Sequence, residues 1–488
     1  MSASKGNFVG GNWTEATGAR FSSFDPATGQ LTWEGRGASE PDIAAAVAAA
    51  QGAFPEWAHR PLADRVDLLR TFEAAIRAGK PRLADVISQE TGKPKWESAT
   101  EVDAMVAKVG ISIEAFESRC REQARTLPGG TGRTRYKPHG ALAVLGPFNM
   151  PGHLPHGHIV PALVAGNTIV YKPSEQTPLV GEVYAELLAG SGFPAGVVNV
   201  VQGRRETGTW LVRHPGVSGV LFTGSSAGGL AIERETAGTG KLVALEMGGN
   251  NPLIFQDADD LHAAAAVIVQ SAYITAGQRC TCARRLIVID SPIASTMLDH
   301  LTGMIRGLRV GLPNDEPQPF MGTLISPSAA DALLAAQESL EKSNGHVLVR
   351  MERSARSAAL LTPGLVDVTD ISDRADVEHF GPLLQLIRVP TFDAAIAEAN
   401  RTAYGLSAGL ISSSTQAYDR FARDVRAGVL AWNRPMTGAS SLLPFGGIGR
   451  SGNHRPSGYF ASDYASYAVA AVETPTLTAG PLPPGMAP

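Results

Sequence analysis

Apolar positions recur at helical spacing through the first quarter of the chain, then give way to short continuous runs. Leu62, Val66, Leu69, Phe72 and Ile76 mark one helical face within Pro61–Lys80, and Leu83, Val86 and Ile87 carry a second helix behind it. Ahead of them, Ser39-Glu40-Pro41-Asp42 places a capping Ser before an acid and opens an Ala-rich helix to Phe54. A longer helical pattern runs from about Ala99 to Ala124. Stripes of this kind are core packing.

From about residue 141 the texture changes. Ala141–Gly146, Thr168–Tyr171, Val197–Val201, Val220–Phe222 and Leu242–Glu246 are short apolar runs, most of them separated by helical or turn-rich segments. Such alternation predicts a parallel sheet whose ligand lies beyond the carboxyl ends of the strands. A second series, Pro252–Phe255, Leu286–Ile289, Leu384–Ile387 and Gly428–Ala431, predicts a second α/β domain. Ala465–Val472 has the pattern of one exposed strand, and Thr474–Pro488 is a Pro/Gly-rich tail expected to be mobile.

Composition narrows the class. The 488 residues are 44% hydrophobic and only 18% charged, with a formal net charge of −4, so intrinsic disorder is excluded. No block of like charge suggests a nucleic-acid or membrane surface. Cys120, Cys280 and Cys282 make neither a disulfide framework nor a zinc-ligand spacing, which fits a reducing compartment and no metal. The start, MSASKGNFVGGNW, lacks a basic segment followed by an apolar one, and no long apolar span follows. A cytoplasmic α/β enzyme without signal peptide or membrane span is expected.

The candidate chemistry sits near strand ends. The one GxGxxG match, Gly447–Gly452, lies near the carboxyl terminus with no helical pattern behind it. It is set aside as a loop rich in positive φ. Thr223-Gly224-Ser225-Ser226-Ala227-Gly228 is better placed, between an apolar strand and a helix whose free N–H groups suit a pyrophosphate. Lys172, Ser174 and Glu175 follow another strand; a lysine there can reach a ribose or phosphate, and a carboxylate favours NAD by repelling a 2′-phosphate. Each of these is equally readable as an ordinary turn or a solvated ion pair. Glu246 closes a strand ahead of two glycines, where partial burial raises a carboxyl pKa and suits a general base, or where it pairs with a basic neighbour. Cys280, preceded by Gly277, Gln278 and Arg279, is the candidate low-pKa nucleophile; Cys120 and Cys282 are expected to be small buried hydrophobes. Asn149 offers an amide donor to an oxyanion, or simply a turn bond to its own backbone.

With these residues in hand, the chain resembles the aldehyde dehydrogenase superfamily over nearly its whole length. The carriers are GPFNMP with Asn149, KPSE with Lys172 and Glu175, FTGS with Gly224 and Ser225, LEMGG with Glu246, GQRC with Cys280, and EHFGP with Glu378 and Phe380. Glu246 and Cys280 stand 34 positions apart and Asn149 and Lys172 stand 23 apart, as in that family. The resemblance implies an α/β fold with three parts. These are an NAD-binding Rossmann-type domain (1–121 and 141–247), an α/β catalytic domain (248–458), and a β oligomerisation flap with tail (122–140 and 459–488). It implies Cys280 as nucleophile, Asn149 as oxyanion donor, Glu246 as base, and Glu378 and Phe380 at the nicotinamide ribose and ring. It also implies NAD as cofactor and a homodimer or homotetramer. Within the superfamily, GHLP at 152–155, GNNP at 249–252, CTCARR at 280–285, TGASS at 437–441 and GNHRPS at 452–457 are similar to the branch that oxidises a succinylated glutamate semialdehyde in arginine breakdown. A small anionic aldehyde of that kind needs cationic and hydroxyl donors, for which Arg279, Ser441 and Arg455 are the candidates.

Other classes are disfavoured by particular residues. CoA-acylating relatives typically lack the carboxylate at Glu246, and a non-catalytic relative would have lost Cys280 or Asn149. A cysteine hydrolase would need His153, His156 or His158 at the thiol and would leave Lys172 and Glu175 unexplained. Glutamate or succinate semialdehyde would use the same machinery.

Overall fold

The computed structural model describes residues 2–128, 130–477 and 482–486, so part of the tail expected to be mobile lies outside the described residues. Ser39 caps the first helix, Glu40–His59, with a complete capping box: its hydroxyl accepts from the Asp42 N–H, and the Asp42 carboxylate accepts from the Ser39 N–H. Helices Leu62–Ala78, Lys80–Thr91 and Lys95–Arg119 follow. The last ends five residues earlier than its pattern suggests. Beyond the Cys120 cap, Gln123–Leu127 is a strand paired antiparallel with Gly130–Pro138, and that pairing overrides its local helical pattern.

Two seven-stranded sheets form the body. The first runs Leu242–Met247, Gly219–Gly224, Ala141–Leu145, Thr168–Lys172, Val198–Val200, Asn7–Val9 and Asn12–Thr14. Its first five strands are parallel; the last two, from the amino terminus, add antiparallel to the edge and had no apolar run to announce them. Leu142 and Val144 feed one core layer while Ala141, Ala143 and Leu145 feed the other. A strand buried on both faces reads as an apolar run rather than an alternation. Strand order reverses between Ala141–Leu145 and Gly219–Gly224, which opens a crevice beyond their carboxyl ends.

The chain leaves this sheet after Met247 and enters the second through Gly248–Asn250. The second sheet runs His346–Val349, Gly364–Asp367, Leu383–Val389, Ala283–Ile289, Asn251–Phe255, Ser407–Ile411 and Val429–Trp432, parallel except at its first strand. Its own apolar core packs around Leu253–Phe255 and Leu286–Val288. Carboxyl ends of the first sheet thus face amino ends of the second. A third, three-stranded antiparallel sheet joins Gln123–Leu127, Gly130–Pro138 and Ser466–Glu473. No helix among the described residues is long and apolar enough to cross a membrane.

Candidate active site

Cys280 stands on an unusual turn. Helix Leu261–Tyr273 ends in a short 3-10 turn, Ile274–Gly277, in which Thr275, Ala276 and Gly277 have φ of 58°, 51° and 69°. Left-handed backbone at non-glycine residues costs on the order of 1–3 kcal/mol each and persists only where the surroundings hold it. Glycine is required at 277, since a Cβ there would lie 2.1 Å from the Gly381 carbonyl oxygen. Arg284, fully buried, does much of the holding: it donates to the carbonyls of Gly277 (2.6 Å), Arg279 (2.9 Å) and Gly381 (3.3 Å). Asn251 Nδ2 donates to the carbonyls of Cys280 (2.7 Å) and Cys282 (2.9 Å). Cys280 therefore precedes a strand of the second sheet, a departure from the expectation that each such residue follows a strand.

Three polar groups face the same cleft. Asn149, in the turn after Ala141–Leu145, donates one amide hydrogen to the Gln278 carbonyl at 2.9 Å, which leaves the other free. The Cys280 N–H has no protein acceptor among the described residues. Glu246 ends its strand beside Thr223 and is buried. Its Oε1 accepts from the Ser457 N–H at 3.2 Å, while Oε2 has no donor. Among the described residues no basic group pairs with it. Burial pushes its pKa well above the ordinary carboxyl value, against a weaker pull from Ser457.

The thiol corrects the expectation of a lowered pKa. Burial, then the carboxylates of Glu246 and Glu378, push Cys280 up to about 12. The flanking Arg279 gives no relief because it turns away, to Glu97 (2.8 Å), Thr275 Oγ1 (2.7 Å) and the Thr437 carbonyl (3.2 Å). Cys120 and Cys282 are buried, as expected of small hydrophobes.

The cleft has a volume of about 1370 Å³, above the roughly 300–1,000 Å³ of a single small-ligand pocket, and has room for a dinucleotide and a second ligand. Lys172, Ser174, Glu175, Thr223, Gly224, Ser225 and Gly228 all line it. Lys172 Nζ donates to the carbonyls of Pro173 and Gly203 and lies 3.5 Å from Glu175. The Ser225 hydroxyl caps helix Ser226–Thr236 by accepting from Gly228 N–H, and the N–H groups of Ser226 and Ala227 remain free among the described residues. Glu378 presses its carboxylate against Gly248, where a Cβ would sit 1.7 Å from Oε2, and its buried Oε1 has no hydrogen-bond donor. Phe380 lies under the Arg284 guanidinium, 5.3 Å from centroid to carbon, and edge-on to Phe148. A carboxylate oxygen with no hydrogen-bond donor, 3.8 Å from the Arg284 guanidinium, an aromatic face, free helix N–H groups and glycines that admit close approach fit a nicotinamide dinucleotide.

Three sequence candidates are placed otherwise. Ser226 turns its hydroxyl out of the cleft, to the Arg450 carbonyl at 2.8 Å. Arg279 lines the cleft but spends its charge on Glu97. Arg455 lies in a separate cavity with His139, Lys241 and Tyr467, because the chain reverses through the left-handed His454 (φ 63°). Ser441 lines the main cleft. Within the GxGxxG match only Gly449 has positive φ, fewer than a loop reading implies. His156 and His158 bond Tyr184 and Tyr464, and among the described residues no histidine bonds the thiol, which removes the cysteine-hydrolase arrangement. Sequence reading missed Arg284 as the buttress of the turn. It also missed Lys108, a charge set among the core positions Val102, Met105, Val109 and Ile113 of helix Lys95–Arg119; that interruption was the available signal.

Comparison with known proteins agrees with this geometry. An N-succinylglutamate 5-semialdehyde dehydrogenase of Hahella chejuensis is 49% identical over all 488 residues, covering 100% of both chains. One of Pseudomonas fluorescens is 49% identical over 471 residues, 96% of each. Among solved structures, an NAD-dependent aldehyde dehydrogenase from Sinorhizobium meliloti superposes with a TM-score of 0.93 at 29% identity, covering 99% of this chain and 97% of that one. The aldehyde dehydrogenase family model matches residues 13–469, from the amino-terminal edge strand to the three-stranded sheet. With its thiol, amide and carboxylate gathered at the seam of two sheets, the chain belongs to the aldehyde dehydrogenase family.

Proposed function

We propose that the protein oxidises N-succinylglutamate 5-semialdehyde to N-succinylglutamate with NAD. The observation that carries the reaction is the meeting, in one cleft, of the Cys280 thiol, the free amide hydrogen of Asn149 and the half-satisfied carboxylate of Glu246. The substrate follows from the names of relatives 49% identical over the full length. In this reading residues 1–121 and 141–247 hold the cofactor and 248–458 supply the nucleophile. Residues 122–140 and 459–488 join subunits of a homo-oligomer.

Cys280 Sγ, once deprotonated, attacks the aldehyde carbon, and the carbonyl oxygen becomes an oxyanion. Asn149 Nδ2 and the Cys280 N–H donate to that oxyanion, and both are oriented before the reaction. Lys172, Glu175, Glu378 and the N-terminus of helix Ser226–Thr236 would hold NAD, which when bound supplies the hydride acceptor. Glu246 then takes a proton from a water that attacks the resulting Cys280 thioester. The C–S bond breaks, Cys280 regains its thiolate, and the acid leaves. Because burial raises the Glu246 pKa, its basic form is present only above that raised value, so hydrolysis slows as pH falls through it.

NADH formation measured with N-succinylglutamate, glutamate and succinate semialdehydes, each with NAD and with NADP, tests the assignment. A large preference for the succinylated substrate with NAD is expected. Equal, weak rates on all three would remove the substrate and leave the family reaction.

A further inference from the structure

An anionic substrate needs a cation, and the cleft offers few that are not already engaged. Lys172 is paired with Glu175 and Arg279 with Glu97, while Arg455 opens into another cavity. Arg205 is exposed, on helix Arg205–Arg213, where Gly208 packs against the Lys172 stem. Lys108 differs from all of these. It is 2% exposed, lines the cleft, and has no carboxylate within ion-pair distance among the described residues.

The position of Lys108 is built from two helices. Thr100, Ala104 and Lys108 share one stripe of Lys95–Arg119 facing the cleft. Opposite, helix His153–Ala165 presents Leu154 and Gly157 to the same space. A Cβ at Gly157 would touch only the Lys108 Cε, at 3.9 Å, so the glycine leaves open volume beside the lysine stem. Among the described residues the ammonium donates to one protein acceptor, the Gly458 carbonyl at 2.7 Å, which leaves two of its three hydrogens over. Gly458 follows Ser457, whose N–H holds Glu246, so the cation is fixed one residue from the group that holds the catalytic base. Glu101, the nearest acid on the same stripe, is occupied by Lys93 at 2.6 Å and by the N–H groups of Gly152 and His153.

We propose that Lys108 is the specificity-determining cation of this cleft, binding a carboxylate of the semialdehyde substrate while the aldehyde reaches Cys280. The inference rests on the anionic-semialdehyde reading above. Burial lowers the lysine pKa to about 8, which leaves it charged at neutral pH and short of solvation. A carboxylate arriving there supplies what water cannot, and an uncharged aldehyde gains nothing from it.

Lys108→Gln separates this role from a structural one, because the amide keeps a donor for the Gly458 carbonyl and loses only the charge. The wild type, Lys108→Gln and Lys108→Arg are compared on N-succinylglutamate semialdehyde and on hexanal, with thermal melting as the check on folding. The expected result is a KM for the succinylated substrate raised about 10- to 100-fold in Lys108→Gln, the size of a lost charge-assisted contact, with little change in kcat or in hexanal oxidation. Lys108→Arg should restore part of the preference. Parallel losses on both aldehydes, or an unchanged KM, would overturn the clamp while leaving the function intact. A wild type with no preference for the charged aldehyde would overturn the underlying reading and the clamp with it. Should Lys108→Gln fail to fold, Lys108→Met, which keeps an unbranched stem and loses the charge, is read the same way: a lowered succinylated-to-hexanal ratio would support the clamp, and an unchanged ratio would overturn it.

Discussion

A thiol held near 12 beside a buried carboxylate is nearly all protonated at neutral pH, so Cys280 is guarded rather than armed in the free enzyme. Desolvation is the larger cause and the two acids add to it, which means the nucleophile depends on what enters the cleft. Iodoacetamide labelling of the cofactor-free enzyme should therefore keep rising with pH beyond the range where an ordinary cysteine, near ~8.5, has levelled off. A plateau at or below that range would show the thiol to be activated already. Glu246 carries a separate expectation. Glu246→Gln should retain an initial burst of NADH, since attack and hydride loss precede hydrolysis, while steady turnover falls by about 10²- to 10⁴-fold. A normal steady rate in Glu246→Gln would sink its role as base.

At the scale of elements, the catalytic turn is held by its neighbours rather than by its own sequence preference. Thr275 and Ala276 occupy left-handed backbone because Arg284 binds three carbonyls around them from a fully buried position. Arg284→Leu removes these donors; the Arg279 and Gly381 carbonyls keep the N–H groups of Cys282 and Leu383, while the Gly277 carbonyl is left without a partner among the described residues, at about 1–3 kcal/mol. We expect kcat to fall by at least about 10²-fold with a lower melting temperature, the turn relaxing and carrying Cys280 away from Asn149. A variant that melts earlier yet turns over normally would show that the turn holds without Arg284. Parallel strands and capped helices were legible because apolar runs and Ser39-type caps are local signals. The edge strands Asn7–Val9 and Asn12–Thr14 were not, since their pairing is fixed by a sheet assembled from distant residues. Side-chain direction was the other blind spot. Arg279, Arg455 and Ser226 were nominated for standing near a motif, and each is drawn elsewhere by a partner or a backbone reversal that spacing does not encode.

For the molecule as a whole, the three-stranded sheet is the part that one chain leaves unfinished. Every described side chain of Gln123–Leu127 is exposed, Gly130–Pro138 is at most half-buried, and Ser466–Glu473 buries only its first residue. A sheet this small needs an apolar face packed on something to be stable, and here neither face has a core of its own. Tyr467 and Val472 are exposed along Ser466–Glu473, which is also an edge strand with backbone groups open to pairing. A second copy of the chain, presenting the same strand, would supply what is missing, in keeping with the symmetric assembly proposed above. Sedimentation velocity of the wild type should therefore show a dimer or tetramer. Val472→Asp, which sets a charge at the most exposed apolar position of that strand, should shift it toward monomer while the isolated cleft still binds NAD. A wild type that sediments as a monomer at micromolar concentration would refute the assembly, and the flap would need another covering.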